Sequence, residues 1–561
     1  MEQASSLDRP LVPAPLVRGR HGAVVAPHHL ATAAGLGVLR AGGSAVDAAI
    51  ATNAALAVVM PNGCGIGGDA FWLIWDAAQG KQTALNGSGR APAAVDADAW
   101  RAAGLSTVPL IGPRSITTPG AVRSWGAAHL RHGRLSRDLL LAPAIELAAG
   151  GFPAWDGYIS AVEVSAARYA TSDDLPDRGA GWASVHRPNG RSWRPGEVVR
   201  LPALARSLER LATAGFDDLY EGELADRQAA GLAAAGSPIT RDDLRAQGAT
   251  WEEPIGLDYR GVRATSHPPN SSGVIALEIL GLLGRFEPPP SSAFGPAGVA
   301  DPRWIHLGLE ASKLAMADRD ALLADPTHSD DPTGWLLSDE NLAALAACID
   351  ERQAAPAPAA LVPRGGGTIY LAVVDGEGNA VSLIQSNYMG FGSGVLDPET
   401  GIHYHDRGSF FTLRDGHANE LAPGKRPLHT LLPGMLFREG RPWVVAGSMG
   451  GDAQPQIHAQ VVSALVDGGV DLPTAVGAPR WFVEPEEHFA APIEVRLEPR
   501  FRAGMADALR ALGHPVTEVE PFDGLLGHCH AIELIAGGPA MPDGSVAAAT
   551  DPRSAGLPAA W

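Results

Sequence analysis

The sequence predicts an α+β protein. Three observations carry the prediction. Two alanine-rich helical stretches precede a strand–turn–strand pattern near the N-terminus. Helical spacing of apolar residues then dominates residues 120–350. From about residue 367 the texture changes to short β-rich runs. With 561 residues, the chain can build several cores or one unusually large sandwich.

The elements follow in chain order. Residues 1–20 read as a flexible arm. In HHLATAAGLGVLRAGGSAVDAAIATNAALAVVMPNG, Gly42–Gly43 separates two helices and Pro61 follows the second. Small residues on so many faces predict close packing against a sheet. After GCGIGGD, the run FWLIWDAAQGKQTALNGSG reads as strand, turn and strand. DPRWIHLGLEASKLAMADRDALLADP is the clearest helix of the middle region, with Pro326 beyond its end, and PPPSSAFGPAG (288–298) reads as an exposed loop. QAAPAPAALVPRGGG, residues 353–367, is low in complexity and reads as a mobile linker. TIYLAVVD, AVSLIQS, PWVVAG, IEVRLE and HAIELIA then read as strands, with AQVVSALVDGG helical among them. No internal repeat is visible.

Composition removes several function classes. A formal charge of −19 opposes binding to phosphate backbones and anionic membranes, so neither nucleic acid nor a membrane is an expected partner. No apolar run is long enough to span a bilayer, and the N-terminus lacks a signal-peptide pattern. The three cysteines, Cys64, Cys348 and Cys529, form no CxxC pair and make a poor disulfide framework. A reduced, cytoplasmic location is expected.

The stretch that carries chemistry is RGGGTIYLAVVDGEGNAVSLIQS. TIYLAVVD and NAVSLIQS flank the turn GEG and should form an antiparallel hairpin. If Asp375 pairs with Asn379, Thr368 faces Ser386 at the open end of the hairpin. A threonine that begins a chain can act as nucleophile with its own α-amine as base, because an α-amino pKa lies near 8. Freeing that amine requires cleavage between Gly367 and Thr368, and the run Gly365–Gly367 supplies the backbone freedom that attack on this carbonyl needs. A linker meeting a strand has the same appearance, so the residues alone leave both readings open.

Other motifs are set aside. GCGIGG (63–68) fits GxGxxG but follows a helix and precedes a strand, the reverse of a dinucleotide site. His403 and His405 in HYHDR alternate onto one strand face, but no third ligand is evident and HExxH and GxSxG do not occur. No metal and no cofactor are expected.

Several blocks together resemble the γ-glutamyltranspeptidase family: GGSAVDAAIATNAALAVVMPNGCGIGGDAF, HLGLEASKLAMADR, GGGTIYLAVVDGEGNAVSLIQS, PGKRPLHTLLPGM, GSMGGDAQPQ and DPRS. The resemblance implies an N-terminal nucleophile hydrolase, a four-layer αββα sandwich. It implies a precursor that cuts itself between Gly367 and Thr368, giving a large chain (21–367 after the arm) and a small catalytic chain (368–561) that stay together as a heterodimer. It places Thr368 as nucleophile, Ser386 where the family has a threonine bonded to it, and Gly450 and Gly451 at the oxyanion pair.

The substrate pocket departs from the family pattern. Ser88 stands where the family has its carboxylate-binding arginine, with Arg90 two residues along. His429 and Thr430 replace its serine pair. Tyr388, Arg407 and Phe410 stand at the positions that hold the α-amino group. An ammonium ion needs acceptors that Arg407 and Phe410 lack, whereas Arg407 suits a carboxylate. The expected substrate is therefore a small amide: γ-glutamyl by family, or a glutaryl or oxamate-type acyl group that keeps a carboxylate without an α-amine, as in the cephalosporin acylases. A binding protein on the same fold that never cleaves itself is the alternative of another class.

Overall fold

The computed structural model describes residues 14–355, 367–485 and 493–561. Its centre is a pair of seven-stranded sheets. One runs Ala559–Ala560, Ala23–Val25, Gly367–Val374, Ala380–Tyr388, Asp69–Asp76, Lys81–Gly87 and Thr250–Glu252 in spatial order. The other runs Leu16–Gly19, Ser545–Thr550, His528–Ile535, Arg441–Met449, Gly434–Arg438, Val262–Ser266 and Ile255–Tyr259. Each sheet thus takes strands from both sides of residue 367.

Strand periodicity explains the layering. In Gly367–Val374, Ile369, Leu371 and Val373 join the core beneath the alanine-rich helices, while Tyr370, Ala372 and Val374 join the core between the sheets. The inter-sheet core also takes Phe71, Leu73, Met435, Val445 and Ile532. A further core lies on the outer face of the second sheet, where Gly273–Leu283, Pro302–Leu322 and Gln454–Val466 pack. Helix, sheet, sheet, helix is the expected αββα sandwich. Strands apolar on both faces follow from burial on both faces.

The N-terminal helices are His29–Arg40 and Ala45–Val59. Ser44 and Asp47 close a capping box on the second, which is buried along its whole length. Small residues allow this: a Cβ on Gly35 would lie 2.1 Å from Thr52 Oγ1.

One expectation is corrected. The arm is not loose throughout, since Leu16–Gly19 pairs antiparallel with Ser545–Thr550; residues 1–13 lie outside the described residues. The middle region is mainly helical as expected, with Thr250–Glu252, Ile255–Tyr259 and Val262–Ser266 as strands that extend both sheets. Most of the linker, residues 356–366, lies outside the described residues, while Ala354 is tied to Leu512 and Ala355 to Glu310. Among the described residues, no helix is long and apolar enough to cross a membrane.

Candidate active site

The site is built on the hairpin of Gly367–Val374 and Ala380–Tyr388. Its register pairs Val374 with Ala380 and Ile369 with Gln385, as expected, and then shifts: Gly367 pairs with Tyr388 across a bulge at Thr368. The two hydroxyls meet despite the bulge. Thr368 Oγ1 donates to Ser386 Oγ at 3.2 Å, and both side chains are buried. Ser386 Oγ also lies 2.7 Å from the Gly367 carbonyl oxygen, to which it donates. It accepts from the Tyr388 amide at 2.6 Å. Tyr388 reaches this position with φ of 76°, a left-handed conformation costing about 1–3 kcal/mol in a non-glycine residue.

Arg407 extends the cluster. Its Nη2 donates to Ser386 Oγ and its Nη1 to Thr430 Oγ1, both at 2.9 Å. The guanidinium carbon lies 4.5 Å from the Tyr388 ring centre and 5.3 Å from that of Phe410. The side chain is fully buried, and no carboxylate among the described residues forms a salt bridge with it. Asp406 instead accepts from the Met389 amide. Burial pushes the Arg407 pKa down to about 10, against the favourable fields of Tyr388, Asp69 and Asp406.

The pair His429–Thr430 divides its contacts. Thr430 faces Arg407, whereas His429 turns its Nε2 to Asp69 Oδ2 at 3.2 Å. Ser88 bonds to Asn86, and Arg90 to Gly424 and Asp325, so neither replaces the missing arginine. Gly450 and Gly451 follow the strand Arg441–Met449 with φ of 149° and 55°. Neither amide donates to a described residue. The next helix ties them to the cluster: the Gln454 amide nitrogen, in its satisfied orientation, reaches Thr430 O at 3.1 Å and Ser448 O at 3.3 Å.

The glycines of GCGIGG serve packing. A Cβ on Gly68 would lie 2.6 Å from Ser386 O, so this loop abuts the strand that carries Ser386. His403 and His405 diverge: His403 Nε2 lies 2.7 Å from His186 Nε2, and His405 faces Thr117 and Asp69. His306, Glu310 and His514 approach one another closely enough to suggest a metal site. They are already engaged, His306 with His514 at 2.7 Å and Glu310 with Lys313 at 2.6 Å. Asp69 is the residue that sequence reasoning missed. Its one visible signal was a charge placed between a glycine-rich loop and the apolar run AFWLIW.

Comparison with known proteins shows the family. The family model described as gamma-glutamyltranspeptidase matches residues 31–561. The oxamate amidohydrolase proenzyme of Klebsiella pneumoniae is 39% identical over 554 residues, covering 96% of this chain and 98% of the relative. The glutathione hydrolase-like YwrD proenzyme of Bacillus subtilis is 37% identical over 544 residues, covering 96% and 98%. Among solved structures, a cephalosporin acylase from Bacillus halodurans superposes with a TM-score of 0.89 at 37% identity, covering 100% of this chain and 99% of that one. The sandwich, the site geometry and a match over nearly the whole chain lead to one assignment: this protein is a member of the gamma-glutamyltranspeptidase family of amidohydrolases.

Proposed function

We propose that the chain is a self-processing threonine amidohydrolase that cleaves small amides whose acyl group carries a carboxylate and no α-amine. Arg407 carries this reading. It is a buried guanidinium with no salt-bridge partner among the described residues, bonded directly to the hydroxyl that contacts Thr368.

Processing comes first. Thr368 Oγ1 attacks the Gly367 carbonyl carbon, the C–N bond breaks, and the nitrogen takes the hydroxyl proton. Ser386 donates to the Gly367 oxygen and so polarises the carbonyl, while Arg407, donating to Ser386, makes that hydroxyl a better donor. Water then hydrolyses the resulting ester, leaving a Gly367 carboxylate and a free Thr368 amine. In turnover that amine accepts the Thr368 hydroxyl proton as the oxygen attacks the substrate carbonyl. The Gly450 and Gly451 amides receive the oxyanion, a contribution of about 3–4 kcal/mol per donor in comparable sites. The leaving amine takes the proton, and water resolves the acyl-enzyme.

The contacts of 3.2 and 2.9 Å from Thr368 through Ser386 to Arg407 hold the anion-binding group near the nucleophile. A short acyl group of the oxamate type, with carboxylate and carbonyl adjacent, fits this spacing best. The likeness to an oxamate amidohydrolase supports it. The likeness to a cephalosporin acylase supports a glutaryl group as the second reading.

A denaturing gel and N-terminal sequencing test the first half. Fragments of about 38 and 20 kDa are expected from the 58.1 kDa chain, the smaller beginning at Thr368. An unbroken chain that still hydrolyses amides would refute the mechanism. For the second half, ammonia release from oxamate is compared with hydrolysis of glutaryl- and γ-glutamyl-p-nitroanilide. Clear preference for the γ-glutamyl compound would overturn the substrate assignment.

A further inference from the structure

A buried carboxylate that the reaction above does not use lies behind Arg407. Asp69 begins the strand beside that of Ser386 and stands opposite Ser386 in the ladder. It is fully buried. Its Oδ1 accepts from the Gly89 amide at 3.0 Å and lies 3.7 Å from His405 Nε2, and its Oδ2 lies 3.2 Å from His429 Nε2.

Both imidazoles lead back to the anion site. His405 Nδ1 accepts the Arg407 backbone amide at 3.2 Å, which fixes the ring with its hydrogen on Nε2. His429 immediately precedes Thr430, whose hydroxyl accepts from Arg407. Asp69 thus braces both segments that hold the guanidinium, and it is the negative charge that faces Arg407 from the neighbouring strand.

We infer that Asp69 is a positioning residue and the counter-charge of Arg407, and that capture of a substrate carboxylate at Arg407 takes up a proton from solvent onto Asp69. This rests on the reading of Arg407 as the carboxylate site. The reason is charge balance. Arg407 already faces the carboxyl groups of Asp69 and Asp406 in a water-poor site, so a substrate carboxylate adds excess negative charge that a proton removes. Burial pushes the Asp69 pKa up to about 7 despite the Gly89 amide and Arg407, so the proton is readily accepted near neutral pH. Burial also lowers His405 and His429, which directs the proton to the carboxylate rather than to a ring.

Other charges face this group. Asp406, on the Arg407 segment, is also raised to about 7 by burial. Asp452 is held by Arg319 at 2.5 Å. Arg426 and His267 act from further segments. The test therefore separates Asp69 from Asp406.

Oxalate serves as an unreactive probe of the processed enzyme. Its inhibition constant is measured from pH 6 to 9, with calorimetric titration in Hepes and Tris to count protons. Affinity should fall about tenfold as pH rises through this range, the effect of one pKa unit of coupling, with net proton uptake near pH 7–8. Asp69→Asn should abolish the slope, and Asp406→Asn should leave it. A slope that survives Asp69→Asn, a slope removed by Asp406→Asn, or absence of proton uptake by the wild type overturns the inference. The wild-type proton count stands even if a variant fails to fold. Oxalate that fails to bind, or binds equally well after Arg407→Lys, instead overturns the anion site itself and this inference with it.

Discussion

Replacing Arg407 by methionine should move activity and stability in opposite directions. The charge is fully buried, and desolvation lowers its pKa from the ordinary arginine range to about 10. At 1.36 kcal/mol per unit, holding the charged form in the free enzyme costs on the order of 3 kcal/mol. The hydrogen bonds to Ser386 and Thr430 return about 0.5–1.5 kcal/mol each. A methionine of similar length removes both contributions, so the folded state should be unchanged or gain up to about 2 kcal/mol. The catalytic loss is larger. A carboxylate held by a guanidinium fork makes charge-assisted bonds of about 1.5–3 kcal/mol each, and losing two should lower kcat/KM by roughly 10²–10³-fold. Chemical denaturation and steady-state hydrolysis of oxamate measure the two effects on one preparation. Unchanged kcat/KM with a lowered unfolding midpoint would refute the reasoning, for Arg407 would then be structural.

Further predictions concern the nucleophile, the oxyanion turn and the buried acids. Thr368→Ala should leave the chain uncut and inactive, as read by gel and ammonia release. Ser386→Ala should slow fragment appearance by about 10–10²-fold, the loss of one activating hydrogen bond. Gly450→Ala, at φ of 149° with Ile457 Cδ1 2.9 Å from the added carbon, should destabilise by about 1–3 kcal/mol and lower kcat. Burial, with the charge of Asp318, pushes Glu278 up to about 9, so its stabilising effect is full below the unfolded pKa near 4.3 and is lost as pH rises toward 9. Glu278→Gln should therefore raise the thermal midpoint at pH 8 and match the wild type near pH 4. Asp551 behaves oppositely: burial would raise its pKa, but Arg480 and Arg553 outweigh that and hold it well below the usual range. Its contribution is present above about pH 4 and lost on acidification, so Asp551→Asn should flatten the acid limb of the thermal midpoint.

Local chemistry made much of this protein legible from its sequence. Glycine and proline punctuation, alanine on every helical face, and apolar runs of strand length gave the N-terminal helices, the central hairpin and the pairing of Thr368 with Ser386. Each depends on residues within about twenty positions of one another, where turn geometry and side-chain period decide the outcome. Tertiary structure alone decided the rest. The strands at 250–266 are short and partly polar, and they became strands by filling sheet edges left by distant segments. Asp69 gained its meaning from a strand more than three hundred residues later, and only the fold buries Arg407 beside the hydroxyls of Ser386 and Thr430 with no described carboxylate in a salt bridge to it. A sequence lists its charges. Which of them are buried together, and at what distance, is settled only when the chain folds around them.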